Sequence, residues 1–211
     1  EATFTQSDRV TMAEFFGLTG SAQVSMDDAL GVPAVWAAVN FIPGTIAGLP
    51  LHVFDKRGSE KKRVKATAAA PVVGVLHDAV NDGLTSFQWR FDMMQEVLTE
   101  GRSVTYIERD DRGRPINLFP LHEPVVRRLA NGRKQYETEA GGRKALYDEA
   151  DVIDITFTLK RDRLQHRSPL RQCAVAIGKA VNANDYGSKI FKNGGLPAFA
   201  LQGPFGSEKS A

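Results

Sequence analysis

The fold follows first from the sequence VPAVWAAVNFIPGTIAGLPLHVF at residues 32–54. Its apolar side chains recur at intervals of three and four residues, which is the spacing of one stripe along an α-helix. Pro43 lies inside this stripe and removes a backbone donor, so we expect a kink there. Gly48 and Pro50 end the helix, and the following residues are typical of a strand. The predicted stripe consists of Val35, Val39, Ile42, Ile46 and Leu49.

The segments on either side of this helix carry weaker local signals. Residues 1–26 show no sustained apolar period and are expected to form an N-terminal arm. After the strand, Lys56-Arg57-Gly58 is typical of the turn of a hairpin. Residues 72–79 then indicate a short helix, and Asn81-Asp82-Gly83 indicates a second turn.

A second amphipathic helix is predicted to begin after Thr85. Thr85 is a good N-cap, and Gln88 three residues later completes a capping box. Gly101 is placed to end the helix as its C′ residue. Trp36 and Trp89 lie in apolar helical segments and are interpreted as core residues. The buried stripe of this second helix is expected to consist of Phe87, Phe91, Met94 and Leu98.

The middle of the chain is predicted to be rich in β-structure. Short runs of β-branched and aromatic residues alternate with Gly, Asn and Asp turns, which favours antiparallel hairpins or a meander. Asp110-Asp111-Arg112-Gly113 and Asn131-Gly132 are turns of this kind, and Gly141-Gly142 is a third. The predicted strands cover residues 104–107, 116–121, 125–129, 135–137, 145–147 and 152–155. Together with the helices they predict an α+β fold.

A long helix is predicted to begin at Ser168. Ser168 is an N-cap, and Pro169 at the first helical position lacks only a donor that would be unpaired anyway. Asn193-Gly194-Gly195 ends the helix, and residues 199–201 are expected to begin a strand. One apolar face is marked by Leu170, Ala174, Ile177 and Val181, and a second, roughly opposite, by Val175, Tyr186 and Ile190. A helix with small side chains and apolar residues on two sides is typical of a ring of equivalent helices. The core helix of a monomer has the same pattern.

Composition limits the partners that can be expected. The chain has 211 residues and a net charge of +2, which is too small to indicate a nucleic-acid or membrane partner by itself. Between residues 156 and 193, however, eight basic residues face two acidic ones, a local charge of +6. A polyanion is a credible partner for that segment. The basic run from Lys56 to Lys65 is interpreted as a solvated surface. No apolar run is long enough to span a bilayer, so no membrane partner is expected.

The sequence carries no recognisable catalytic or metal-binding motif. The four histidines are separated from one another and from Cys173 and show no ligand spacing, so neither a metal site nor a cofactor is expected. Cys173 is interpreted as a small core residue, and as the one cysteine it cannot form an intrachain disulfide. Ser168 is explained by helix capping. The carboxylates Asp148, Glu149, Asp151 and Asp154 leave a hydrolase open as a minor alternative, but the expectation is that the protein is not an enzyme.

Three parts of the chain, taken together, resemble the HK97-type portal proteins of tailed bacteriophages. The first is Val35-Trp36-Ala37-Ala38-Val39-Asn40 followed by Leu49-Pro50-Leu51. The second is the turn and strand between Asp110 and Leu121. The third is Ser168-Pro169-Leu170 followed by Phe191-Lys192-Asn193-Gly194. Each motif is weak alone, and their order and spacing carry the resemblance.

The resemblance implies a homo-oligomeric ring, commonly a dodecamer, at one vertex of the capsid. Double-stranded DNA would pass non-specifically through its channel during genome packaging and ejection. Terminase would dock on the ring, and head–tail connector proteins would replace it later, so the protein would lie in the virion and, during assembly, in the host cytoplasm. A different phage head–tail adaptor is the other structural alternative.

The resemblance also implies a division of the chain. Residues 1–26 would be the arm, 27–160 the wing, 161–194 the stem helix, and 195–211 the start of a clip at which the chain is truncated. Four basic residues on the stem helix are then the candidates for facing the DNA channel or a neighbouring subunit. They are Arg171, Lys179, Lys189 and Lys192.

Overall fold

A computed structural model describes residues 24–55, 62–65, 67, 70–140, 143–192 and 194. The described helices are α1 (Met26–Leu30), α2 (Pro33–Gly48), α3 (Pro71–His77), α4 (Ser86–Thr99), α5 (Pro169–Gln172) and α6 (Ala174–Lys192). The strands are β1 (Phe54–Asp55), β2 (Lys62–Arg63), β3 (Ala79–Asn81), β4 (Leu84–Thr85), β5 (Arg102–Arg109), β6 (Pro115–Leu121), β7 (Val125–Arg128), β8 (Lys134–Ala140), β9 (Arg143–Asp148) and β10 (Val152–Thr156). The predicted α+β class is confirmed.

The helix predicted over residues 32–48 is confirmed as α2, but its buried stripe differs. Val39, Pro43 and Ala47 are buried, whereas Ile42 and Leu49 are exposed. The difference arises because α2 packs mainly against α4. The side of the helix that meets α4 is buried, and it is not the side that carries the predicted apolar stripe. The kink at Pro43 stays a prediction. The strand that follows the helix is shorter than predicted, and its hairpin turn lies outside the described residues.

The capping box that begins α4 is confirmed. Thr85 Oγ1 accepts a hydrogen bond from the Gln88 amide at 3.2 Å, and the Gln88 side-chain oxygen accepts one from the Thr85 amide at 3.3 Å. Its core face, however, centres on Trp89 and Val97, while Phe87 is 48% exposed. The Trp89 indole N–H donates to Thr105 Oγ1 at 3.0 Å, so the helix is oriented by the sheet beside it.

The strands form antiparallel hairpins, but the strand order is not a continuous meander. β7, β8 and β9 make one three-stranded sheet in chain order. β10 does not continue from β9; it pairs with β5, so the other three-stranded sheet has the order β10-β5-β6. The Gly141-Gly142 turn lies outside the described residues. The return of β10 places residues from distant parts of the sequence side by side.

Three apolar clusters hold these elements together. One joins α3, α4 and β6 through Val75, Val80, Trp89 and Leu118. A second joins the two larger sheets through Val104, Leu121 and Tyr136. The third joins α1 to α6 through Ala29, Val32 and Ile177. This third cluster packs the C-terminal helix on the N-terminal part of the described chain.

The long C-terminal helix is interrupted near its start. Ser168 caps α5 as predicted, with Pro169 at the first helical position. Cys173 then leaves the helical conformation, with φ −94° and ψ 5°, and α6 begins at Ala174. Cys173 is exposed, so its interpretation as a core residue is wrong. The helix is described to Lys192, and the strand predicted at residues 199–201 lies outside the described residues.

Candidate functional site: the C-terminal helix and its junction with the sheet

The four predicted basic residues do not form one cluster. Arg171 belongs to α5, whereas Lys179, Lys189 and Lys192 belong to α6, beyond the break at Cys173. All four are exposed. Arg171 Nη2 lies 3.4 Å from Glu100 Oε2, so its charge is paired with the end of α4. No ion pair is seen for the three lysines among the described residues. Among the described residues the three lysines therefore differ from Arg171, whose exposed guanidinium lies near one carboxylate.

The start of α5 is fixed to the corner between α4 and β5. The Ser168 hydroxyl donates to the Thr99 carbonyl and accepts from the Arg171 amide at 3.2 Å, so one side chain both caps the helix and ties it to α4. Gly101 has φ +93°, and a Cβ built on it would lie 2.5 Å from the Arg167 carbonyl oxygen. Only glycine allows the two backbones to approach this closely. The start of the C-terminal helix is therefore held against this corner by a hydrogen bond and a close backbone contact.

One face of α6 is packed and the opposite face is open. Ile177 is buried against Ala29 and Val32, with Leu170 and Val181 beside it, so the first predicted apolar face is confirmed. On the second predicted face, Val175 is 60% exposed and Tyr186 is 69% exposed. Phe191, near the end of the helix, is 82% exposed. Charged and apolar side chains thus share the uncovered side of the helix.

The carboxylates considered for hydrolysis are not gathered in one pocket. Asp154 accepts from Arg102 Nε at 3.0 Å and from the Tyr136 hydroxyl at 2.7 Å, and Lys134 Nζ lies 3.4 Å away. The bond to Asp154 and burial together raise the pKa of Tyr136, with burial the larger cause. Asp151 is bound by Arg109 at 3.2 Å instead. Asp154 and Asp151 are thus each held by a basic side chain within the fold, so the geometry of these two acids does not favour the hydrolase alternative.

Two other carboxylates, which no sequence motif singled out, lie in a cleft of about 720 Å³ between α2, α4 and the β5–β6 hairpin. Asp92 and Glu96 lie one turn apart on α4 and line this cleft. Burial raises the pKa of both carboxyls, while a hydrogen bond with Ser103 and the nearby His122 oppose the rise at Glu96. Their i, i+4 spacing was visible in the sequence. The partial burial of Glu96 was not, and Asp92 stays exposed at the rim of the cleft.

A smaller cavity of about 390 Å³ lies beside the junction. Two buried nitrogen atoms at its wall, Arg102 Nη2 and His166 Nδ1, have no hydrogen-bond partner among the described residues. Burial, and secondarily the charge of Arg102, lowers the pKa of His166. Glu100 and Glu123 also line the cavity, so it has no single sign of charge.

The remaining candidate residues carry no metal or catalytic geometry. His52 and His77 are not separated as the sequence suggested, because their rings stack with centroids 6.2 Å apart. Even so, the described ranges contain no group of three His, Cys, Asp or Glu side chains able to hold a metal ion. Trp36 is 56% exposed and lines the larger cleft, so its interpretation as a core residue is wrong, whereas Trp89 is buried as predicted. No helix in the described part of the chain combines the length and the apolarity that crossing a bilayer requires.

This architecture, an α+β domain followed by a long C-terminal helix, matches known proteins of one class. The family model described as phage portal protein matches residues 33–211. The chain therefore belongs to the phage portal protein family, and the resemblance to HK97-type portals is confirmed.

Curated relatives are portal proteins of phages. The chain is 27% identical over 190 residues to the probable portal protein of Streptomyces phage phiC31, covering 86% of this chain and 41% of that protein. It is 24% identical over 182 residues to the portal protein of Enterobacteria phage HK97, covering 84% of this chain and 42% of that protein. The chain thus spans about two fifths of the length of these relatives.

Solved structures share the fold. The neck of an empty gene transfer agent (GTA) particle, computed with C6 symmetry, matches with a TM-score of 0.64 at 18% identity, covering 88% of this chain and 48% of that one. The neck of a native GTA particle, computed with C12 symmetry, gives 0.63 at 18% identity, covering 85% and 47%. A crystal structure of an HK97 family phage portal protein from Corynebacterium diphtheriae gives 0.56 at 18% identity, covering 86% and 56%. At these identities the matches show the fold alone.

Proposed function

We propose that this chain is part of a ring-shaped DNA conduit at one vertex of a phage capsid, through which the genome is packaged and ejected. The observation that carries the proposal is the family match over residues 33–211, which covers most of the described fold and the whole C-terminal helix. The portal relatives support this role over that of a separate head–tail adaptor. The protein would act as a structural component and not as an enzyme.

The proposal assigns a part of the conduit to each part of the chain. Residues 1–26 would be an arm, 27–160 the wing, 161–194 the stem, and 195–211 the start of the clip. The junction at Ser168 supports a boundary between wing and stem near that point, because the chain leaves the sheet there.

The proposed partners follow from the same role. Copies of the chain would form a closed ring, a dodecamer by analogy with the C12-symmetric neck. The ring would contact double-stranded DNA without reading its sequence, and terminase, capsid and head–tail connector proteins would dock on it. It would lie in the virion, and in the host cytoplasm during assembly.

The charge of α6 suits a conduit. Each neutralised phosphate strengthens binding and makes it more dependent on salt, so many contacts would hold DNA in place and oppose its movement. The three lysines, which have no ion pair within the described ranges, are spread along α6 and do not form one dense patch. Such dispersed charge can attract DNA and still release it. Base-specific contacts are not required.

The ring is tested first, by native mass spectrometry and negative-stain imaging of the protein at low and high salt. Closed rings with an axial hole are expected. A chain that stays monomeric at high protein concentration in both salts would contradict the proposal.

The DNA contact is tested with the triple variant Lys179→Glu, Lys189→Glu, Lys192→Glu. We expect weaker binding of a duplex at low salt and a shallower dependence of log K on log salt, by up to about 0.9 for each lost phosphate contact. The triple variant Arg112→Glu, Arg133→Glu, Arg143→Glu changes the net charge equally at exposed positions away from α6, so it is the matched control and should leave the slope unchanged. If the lysine triple variant binds and packages DNA like the wild type, these lysines do not face DNA.

A further inference from the structure

The outward face of α2 is unusual for a helix at a protein surface. None of the sixteen residues from Pro33 to Gly48 is charged, although most of them are exposed. Phe41 is 76% exposed and Ile42 is 40% exposed. Surface helices normally carry charged residues on the face that meets water. This face is therefore suited to a contact that excludes water.

Of the two polar side chains of α2, Asn40 lies on the side that meets α4, where it also accepts a hydrogen bond from Gln95 at 3.5 Å, and Thr45 lies on the exposed side. Asn40 Nδ2 donates to the Trp36 carbonyl at 2.7 Å, and Thr45 Oγ1 donates to the Phe41 carbonyl at 2.8 Å. The one donor of the Thr45 hydroxyl is thus already satisfied within the helix, so covering the outward face would leave few unpaired polar atoms. Thr45, like the apolar residues of this face, is thus compatible with burial.

The shape of the face suits close packing of protein against protein. Small side chains surround the single large ring of Phe41, so a neighbouring surface can approach the backbone while the ring inserts into it. The outward face of α2 is defined by these residues: Ala34, Ala37, Ala38, Phe41, Ile42, Thr45 and Gly48.

The chemistry of this face distinguishes between possible partners. Nucleic acid is held through Lys and Arg, and the face has neither. A helix that lies in a membrane surface carries basic residues on its polar side, and α2 has no such side. An acidic or basic protein would find no complementary charge. A neutral protein surface remains, and depletion of charge is the compositional signal of the core of a protein–protein interface.

We infer that the outward face of α2 packs against a second copy of this chain. The inference rests on the proposed ring, because in a cyclic ring each subunit meets its two neighbours through two different surfaces. One helix of this length is about 24 Å long, so its face supplies only part of the roughly 800 Å² that each partner buries in a standard interface. A single substitution should therefore weaken the ring markedly without every subunit contact being lost.

The test introduces a charge at the centre of the face. Phe41→Glu should raise the protein concentration at which rings half-dissociate at least tenfold, measured by native mass spectrometry. Phe41→Leu, which stays apolar, should form rings like the wild type. Because Phe41 is mostly exposed in the single chain, both variants should fold, as checked by circular dichroism and thermal melting.

A labelling experiment tests the same contact without a charge. In a Cys173→Ser background, Phe41→Cys should react with maleimide at least tenfold more slowly in assembled rings than Arg112→Cys, which lies in the exposed β5–β6 turn. If wild-type rings form but Phe41→Glu also assembles normally and position 41 labels as fast as position 112, the inference fails and the proposed ring stands. If the wild type forms no ring, the proposed function fails, and the inference fails with it.

Discussion

Asp154→Asn should be among the most destabilising conservative substitutions in this chain. The Asp154 carboxylate is 11% exposed and receives bonds from the Arg102 guanidinium and the Tyr136 hydroxyl, with the Lys134 ammonium nearby. The Arg102 side chain is only 6% exposed. Removing the negative charge leaves a buried guanidinium whose second nitrogen already lacks a partner among the described residues.

The magnitude follows from this burial. Breaking a buried ion pair by removing one partner costs about 3–5 kcal/mol of unfolding free energy, since the other charge is left uncompensated. Asparagine keeps one oxygen that can accept from Tyr136 or Arg102, so we expect a loss near 3 kcal/mol. For a chain of this size each kcal/mol lowers Tm by roughly 2–4 °C. A decrease of about 6–12 °C is therefore expected.

Urea denaturation followed by circular dichroism, together with a thermal melt, measures this loss. The double variant Arg102→Met, Asp154→Asn removes the buried cation as well, so it should lose less stability than the sum of the two single variants, with a coupling of about 0.5–3 kcal/mol. A loss below about 1 kcal/mol for Asp154→Asn, or strict additivity in the double variant, would show that the network is solvated and the reasoning from burial is wrong.

Two further predictions concern the junction and the larger cleft. Gly101→Ala should lower the free energy of unfolding by about 3 kcal/mol or more in urea denaturation, because its Cβ would meet the Arg167 backbone. The control Gly132→Ala, with φ +84° and nothing within 4 Å, should lower it by only about 1 kcal/mol. Equal losses would contradict the close approach at Gly101. Burial raises the pKa of Glu96 above its ordinary 4.5, so the folded state holds the proton more strongly than the unfolded state does. The contribution of Glu96 to the free energy of unfolding therefore falls as the pH rises from about 4.5 through the pKa of the folded state. Glu96→Gln should therefore gain stability relative to the wild type as the pH is raised from 4.5 to 7, measured as the difference in urea midpoint, and a variant that becomes relatively less stable over this range would refute the sign.

The sequence predicted the features of the fold that depend on neighbouring residues. The capping box at Thr85 and Gln88, the left-handed Gly101 and the cap at Ser168 all lie where the pattern indicated. Each is decided by interactions within one helical turn, so it can be read without knowledge of the rest of the chain.

Which side of a helix is buried could not be predicted in the same way. The apolar period of α4 is compatible with burial of Phe87 or of Trp89, and the sheet decides, because Thr105 offers a partner to the indole of Trp89. The pairing of β10 with β5 is likewise non-local, since nothing in the sequence of β10 distinguishes β5 from β9 as its neighbour. The Arg102–Asp154 pair depends on this strand order and was missed for that reason.

The candidate site divides at Cys173 in a way the sequence did not indicate. Before the break, Arg171 pairs with Glu100, and Ser168 and Gly101 fix the chain to the corner of the sheet. Beyond the break, the lysines of α6 have no ion pair among the described residues. The proposed conduit would need a stem that is anchored at its base and carries dispersed charges along its length, because a lysine without a carboxylate partner can contact a phosphate without first giving up an ion pair. Arg171 therefore fits the anchor, and the three lysines fit the DNA-facing role that the charge-reversal test addresses.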